Sequence, residues 1–314
     1  MVSKAELMEG EFSRVLDAPE RRSRFRRGRM VTRWDWFLWP AVLVSLVLLV
    51  LPQAMFVWLS FHADLGLGQV SDSLTARNYL HVLSDPFYRQ SFWMTLYLSV
   101  AATGSGLALG FPAAYALARI GGWTASFMIS LILTTSLVTV VVKLMGLNII
   151  LGSTGMVNRI LLALALTSTP VQMLNNRLGV LIGLVQYTLP MTIVLLFGVM
   201  QTIPVTLEEA AATLGASHAG TFRQVIVPNA KAGLVSAGLI AFNMSMGAFT
   251  SAVLLGGGRV RTIPVLIQQM IIQNTDYAEG ATLSTVLVAL VFIINLAVGA
   301  AFVATGAKER QDVA

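Results

Sequence analysis

The sequence has no cysteine, which excludes disulfides, thiolate metal sites and thiol nucleophiles. Charge is scarce as well. Only 11% of the 314 residues are Asp, Glu, Lys or Arg, against about 25% in an ordinary soluble domain, so water is not the main solvent of this chain. The histidines His62, His81 and His218 are scattered through separate segments, and nothing has the H-E-x-x-H or similar spacing of a zinc site. Neither a metal nor a cofactor is expected. The glycine-rich "GSGLALG" from Gly104 to Gly110 lacks the Lys-Ser or Lys-Thr that completes a phosphate loop. Its Gly106 and Gly110 read instead as a small-xxx-small face for close helix packing, and the chain has no nucleotide site of its own.

Apolar residues are abundant, at 56% of the chain, and they fall in runs of about 20, long enough to cross a hydrocarbon core of about 30 Å. Six spans are predicted: Trp36 to Leu59, Phe92 to Leu117, Ala125 to Leu147, Leu178 to Gln201, Leu234 to Leu255 and Leu283 to Val303. Lipid offers no partner to backbone N–H and C=O groups, so each span must be helical. The fold class is therefore all-α, a polytopic membrane protein. None of these spans holds an Asp or Glu, whereas ion-coupled carriers usually keep carboxylates near the midplane. That weighs against a secondary carrier, although broken helices can bind sodium through backbone carbonyls alone.

Orientation rests on "RRSRFRRGR", Arg21 to Arg29, because short-loop Lys and Arg are retained on the cytoplasmic side. Six spans threaded from an inside N-terminus put Arg119, Arg223, Lys231, Lys308 and Arg310 inside. Arg77, Arg89, Arg159, Arg177, Arg259 and Arg261 fall outside. The net charge of +6 then reads as topogenic charge beside anionic headgroups; no aromatic-basic module points to nucleic acid. The expected organisation is a cytoplasmic tail at 1–33, a transmembrane domain at 34–305 that includes a loop at 203–231, and a cytoplasmic tail at 306–314. The first apolar run is too long for a cleaved signal. The outside loops 62–91 and 148–177 carry the Pro, Asn and Gly punctuation of short interfacial pieces, and no repeat of fixed period is found.

Between spans four and five lies "TIPVTLEEAAATLGASHAGTFRQVIVPNA", Thr202 to Ala230. Thr206 with Glu209 predicts a capping box, and Glu208 and Glu209 sit where a helix dipole favours negative charge. Gly215 suits a left-handed C-terminal cap. The helix so bounded is too short to stand alone. Ser217 is read as the cap of a second short helix bearing Phe222, Val225 and Ile226, stopped by Pro228. These features fit a hairpin packed only on its own spans. The small Ala210, Ala211 and Ala212 surface also fits close approach by a partner at little entropic cost.

The spacing Glu209-Ala210-Ala211, three residues, Gly215, nine residues, Val225, one residue, Val227-Pro228 resembles the E-A-A-x3-G-x9-I-x-L-P signature of permease subunits of binding-protein-dependent ABC importers. "LVQYTLP", "GAFTSAVLLGGG" and "KLMGLNIILGSTGMVN" are similar to the spermidine/putrescine branch, so the resemblance spans roughly residues 36 to 305. Val225 and Val227 stand for the commoner Ile and Leu, Ala232 precedes Gly233 where many relatives have Pro, and Lys143 stands where the family usually has Arg. The resemblance implies that the helix from about Leu207 to Leu214 is a coupling helix that docks on a separate cytoplasmic ATPase, with Glu208, Glu209, Ala210, Ala211, Gly215, Phe222 and Pro228 in the coupling loop. It further implies an ATPase dimer, a second permease subunit, a periplasmic or extracellular solute-binding protein and a home in the bacterial cytoplasmic membrane. The alternative is an ATP-independent channel or secondary carrier.

Polar residues within the spans are candidates for a substrate path: Lys143, Gln186, Tyr187, Asn243 and Ser245. Lys143 is near enough to the outer interface to snorkel, or it lines the path, where a fixed cation suits an anionic or zwitterionic ligand better than a polyamine. Gln186, Tyr187 and Asn243 either line a cavity at the midplane or bridge helices by hydrogen bonds.

Overall fold

A computed structural model describes residues 35–66 and 68–311, so the tail expected at 1–33 lies outside the described residues. Contacts divide the chain into two units, one up to Pro52 and one from Gln53 onward. The described part of the first unit belongs to helix α1 (Asp35–Ser60), which carries Pro40 and Pro52 inside it.

In the second unit a short antiparallel hairpin follows α1, with β1 (His62–Gly66) on β2 (Gln69–Leu74) and His62 opposite Leu74. This is the one departure from the all-α expectation among the described residues. Next come α2 (Arg77–Ser84) and the long α3 (Pro86–Ile120), the latter capped by the Asp85 carboxylate, which accepts from the Phe87 N–H at 2.8 Å. The chain continues through α4 (Gly122–Leu137), α5 (Val140–Leu151), α6 (Met156–Ala163) and α7 (Arg177–Gln201). The loop helix α8 (Thr206–Thr213) precedes α9 (His218–Thr221), which runs through a π turn (Phe222–Ile226) into α10 (Val227–Met246). Finally α11 (Phe249–Gly256), α12 (Ile263–Gln268) with a π turn (Gln269–Gln273), and α13 (Tyr277–Gln311) complete the unit.

Among the described residues, six helical stretches are long and apolar enough to cross a membrane: 39–60, 86–120, 140–163, 177–201, 218–246 and 277–305. Three of them, 86–120, 177–201 and 277–305, extend the predicted spans outward, and 39–60 nearly coincides with the first. The third differs in kind, since 140–163 is interrupted at 152–155, between α5 and α6. Packing shows α4 and α5 arranged end to end along α7. Ile129 and Ile132 of α4 pack on the cluster around Ile193 and Leu196, while Leu144 of α5 lies against Gly183. The two short helices thus make up the crossing predicted at 125–147. Before the break at Val138 and Thr139, the hydroxyls of Thr134, Thr135 and Ser136 all donate to carbonyls four residues back, a habit that bends helices. The fifth predicted span is displaced. Its helix ends at Met246 rather than Leu255, because Ala248 is extended (ψ 97°) and restarts the chain as α11. The last helix runs on to Gln311, through most of the segment read as a tail.

The core of the second unit is built where α3, α7 and α10 meet, with Phe111, Ala114, Leu117, Leu196, Met200, Ile226 and Ala237 buried together. A second cluster joins Leu98, Ala102, Val180, Leu184, Ala252 and Val260. Close approach depends on small residues, as the sequence suggested. A Cβ at Gly110 would stand 3.2 Å from the Thr192 methyl, and one at Gly106 would stand 3.6 Å from the Thr188 hydroxyl. The tightest such contact between α7 and α10 is at Gly233, where a Cβ would lie 2.4 Å from Val199. Val is stiff and cannot swing away. Gly233→Ala is therefore expected to cost about 1–3 kcal/mol, read as a lower thermal midpoint in detergent, and Val199→Ala should restore most of it.

Candidate functional site

The helix α8 is eight residues long and buries none of them fully. Its start differs from the expected capping box. Val205 already has helical backbone angles (φ −63°, ψ −28°), Thr206 is the first helical residue, and no side chain caps the helix. The orphan N–H groups are met by backbone instead: Leu207 donates to Pro204 O at 3.3 Å, and Glu208 and Glu209 donate to Val205 O at 2.9 and 3.1 Å. Thr206 and Glu209 are left exposed, with no donor for a box to take. The end is as predicted. Gly215 has φ +84°, Ala216 N donates to Ala211 O at 3.0 Å and Gly215 N donates to Ala212 O at 2.9 Å, the bond pattern of a Schellman motif.

The paired glutamates face opposite ways. Glu208 turns inward, where its carboxylate accepts from the Tyr115 hydroxyl at 2.7 Å and from Arg119 Nε at 2.6 Å. The Arg119 Nη2 adds an ion pair at 2.5 Å, and both side chains are more than four-fifths buried (18% and 17% exposed). The Arg119 guanidinium also reaches the Ile203 carbonyl at 3.4 Å and lies 5.5 Å from the Tyr115 ring centre. Phe222, on the returning strand of the hairpin, places its ring 5.2 Å from both Phe111 and Tyr115. Thus α8 is bolted to the end of α3 by a charge-assisted fork and an aromatic cluster. Glu209, Ala210, Ala212 and Thr213 stay exposed, Ala211 is half-buried, and Leu214 at the tip is 88% exposed.

Pro228 does not stop the second helix. Ser217 caps its start as expected, accepting from Gly220 N at 3.2 Å. The chain then passes through the π turn, in which Val227 N donates to Phe222 O, and Pro228 falls in the first turn of α10. A proline has no N–H to offer and is tolerated at a helix start; the widened turn ahead of it makes room for the ring.

The path candidates fare unequally. Lys143 is half-buried on α5, four residues after the break, and its N–H donates to Thr139 O at 3.2 Å. Gln186 and Tyr187 are half-buried on α7, the helix that α5 packs against. Asn243 is committed elsewhere: it exchanges amide hydrogen bonds of 3.1 and 2.8 Å with Asn295 of α13, which is a helix bridge. Ser245 is 3% exposed and donates to Ala241 O at 2.9 Å within its own helix, so its hydroxyl serves packing. Because interhelical amide pairs in membranes are worth about 0.6–1.7 kcal/mol, Asn243→Ala and Asn295→Ala should destabilise by similar small amounts. The double variant should cost little more than either alone, as measured by unfolding in detergent.

Arg119, Tyr115 and Asn295 were not singled out from sequence. Arg119 and Tyr115 are four residues apart at the end of a span, facing a loop with two adjacent acids, and that charge complement was the available signal. Asn295 was visible as the lone amide in the last apolar run.

The chain as a whole is similar to known proteins in both sequence and fold. The spermidine/putrescine transport system permease protein PotB of Haemophilus influenzae is 29% identical over 247 residues, covering 78% of this chain and 86% of that protein. PotB of Salmonella typhimurium is 30% identical over 276 residues, covering 87% and 93%. The fold is similar to that of a bacterial alginate ABC transporter solved in complex with an alginate pentasaccharide-bound periplasmic protein, with a TM-score of 0.68, 15% identity, and coverage of 84% of this chain and 93% of that one. The family described as "Binding-protein-dependent transport system inner membrane component" matches residues 106–308, which include the hairpin and the end of α3 on which it packs. The chain belongs to that family of transport permeases.

Proposed function

We propose that the hairpin 203–231 is the element through which a separate cytoplasmic ATPase drives this permease, and that the membrane-crossing helices form the path of a small organic solute. The observation that carries the reading is an eight-residue helix that is fixed on one side by Glu208, Arg119 and Tyr115 and offers Ala210, Ala212 and Leu214 outward with none of the described residues upon them. Anchored on one side and open on the other, it is placed to pass force between the membrane helices and a partner. In this reading both termini are cytoplasmic, the solute arrives on a binding protein, and a second permease completes the path. Polyamines are the first candidate solutes because both PotB relatives are named for spermidine and putrescine. Lys143, Gln186 and Tyr187 remain the residues assigned to the path.

The test is assembly and coupling. The chain should copurify with an ATPase subunit, and disabling the phosphate-loop lysine of that subunit should abolish uptake. Uptake that continues at its normal rate with the ATPase disabled would favour a channel or carrier and overturn the reading.

A further inference from the structure

At the end of α3 remote from the hairpin, about 45 Å from Arg119 along the helix at 1.5 Å per residue, a cavity of about 370 Å³ opens between the starts of α3 and α7 and the loop after α11. Arg177, Arg259 and Arg261 all line it, beside Phe87 and Gln90. The chain builds this convergence deliberately. Arg177 is the first residue of α7, just after Asn176, whose side chain caps the helix by accepting from Gly179 N at 2.9 Å. Arg259 and Arg261 flank the buried Val260 (3% exposed) in the turn that follows α11, and both face the cavity. The segment is pinned at three points: Asn175 N donates to Leu255 O at 2.8 Å, Val260 sits in the core with Leu98 and Val180, and Ile263 N donates to the Thr95 hydroxyl at 2.9 Å.

Three guanidiniums are held together here without an acid to answer them. Guanidinium is always charged in proteins, and among the described residues no carboxylate pairs with any of the three; Arg261 instead stacks 5.1 Å from the Phe87 ring centre. Of the acids at this end, Asp85 and Glu279 flank His81 at 3.9 and 3.3 Å, and no acid lines the cavity. Fixed like charges around a hollow are relieved by an anion, and planar forks match a carboxylate or phosphate two bonds at a time.

We propose that this cavity binds an oxyanion, the carboxylate, phosphonate or phosphate group of a small solute or of a lipid headgroup. The site goes beyond the transport reading and does not depend on the hairpin. If a solute fills it, that solute carries an anionic group, because a polycation would meet three fixed positive charges.

The test uses the full chain in maltoside micelles, which contain no phosphate, titrated against inorganic phosphate and methylphosphonate by phosphorus-31 line broadening. Saturable broadening is expected, with affinity at least tenfold weaker in R177Q/R259Q/R261Q and weakened about threefold or more in each single variant; the R77Q variant, at an exposed arginine that does not line the cavity, should match the parent. Circular dichroism and gel filtration check that the variants are folded. Repeating the titration in phosphatidylglycerol nanodiscs separates the two sources: broadening that persists assigns the site to a solute, and broadening that vanishes assigns it to the headgroup. No saturable broadening in micelles, or equal broadening in the triple variant, overturns the proposal.

Discussion

Glu208→Ala is expected to lower uptake at least tenfold while the protein still inserts in the membrane. The substitution leaves Arg119, 18% exposed, with the Ile203 carbonyl at 3.4 Å as its remaining hydrogen-bond partner. Removing one member of a fully buried pair costs about 3–5 kcal/mol, and the residual exposure here brings that to about 2–3 kcal/mol. An isolated helix of eight residues has no stability of its own to absorb the loss, so α8 should come away from the end of α3. Arg119→Ala should do the same, and the double variant should be no worse than either single one, because both remove the same interaction. Uptake and solute-stimulated ATP hydrolysis in proteoliposomes measure this. Losses that add in the double variant would show that the two residues act separately.

The second large effect is expected at Gly215, and the residue chosen to replace it decides what is learned. At φ +84° a β-branched side chain is strained, whereas Asn tolerates left-handed backbone. A Cβ at this position meets nothing within 4 Å among the described residues, so the cost inside the hairpin is conformational and not one of crowding. Gly215→Val should therefore unsettle the Schellman turn and weaken ATPase binding tenfold or more, and Gly215→Asn should stay within about threefold of the parent. Copurification of the ATPase at graded detergent stringency separates the two. Equal loss in Val and Asn would mean that bulk against the partner, and not the turn, sets the requirement for glycine.

The sequence was most informative where one physical constraint dominates. Lipid demands helices of a certain length, so six crossings could be placed from apolar runs alone, and the third survived as a crossing although its helix is broken at Val138 and Thr139. Gly215 was legible because few residues adopt its backbone angle. What was hidden depended on which groups meet in space. The Thr206 and Glu209 spacing satisfies the capping-box pattern, yet carbonyls of Pro204 and Val205 took the donors first. Pro228 looked like a stop because a proline interrupts a regular α-helix, and the preceding π turn, which admits it, leaves no mark in composition. Glu208 and Arg119 are 89 residues apart in sequence, and no local pattern joins them. Asn243 was read as either a path residue or a bridge; the partner that makes it a bridge lies 52 residues on.

The central claim is that α8 is a docking element, and the absence of native cysteine allows it to be tested with one introduced thiol. Leu214→Cys places a unique thiol at the tip of the hairpin, where the native side chain is 88% exposed, and Leu74→Cys, where it is 74% exposed, serves as a control on β2 at the other end of the unit. Maleimide labelling rates would be compared for the permease alone and for the complex assembled with its ATPase. The account predicts that assembly slows labelling at Leu214→Cys at least tenfold and leaves Leu74→Cys unchanged. Equal labelling of the Leu214→Cys thiol with and without the ATPase would contradict it.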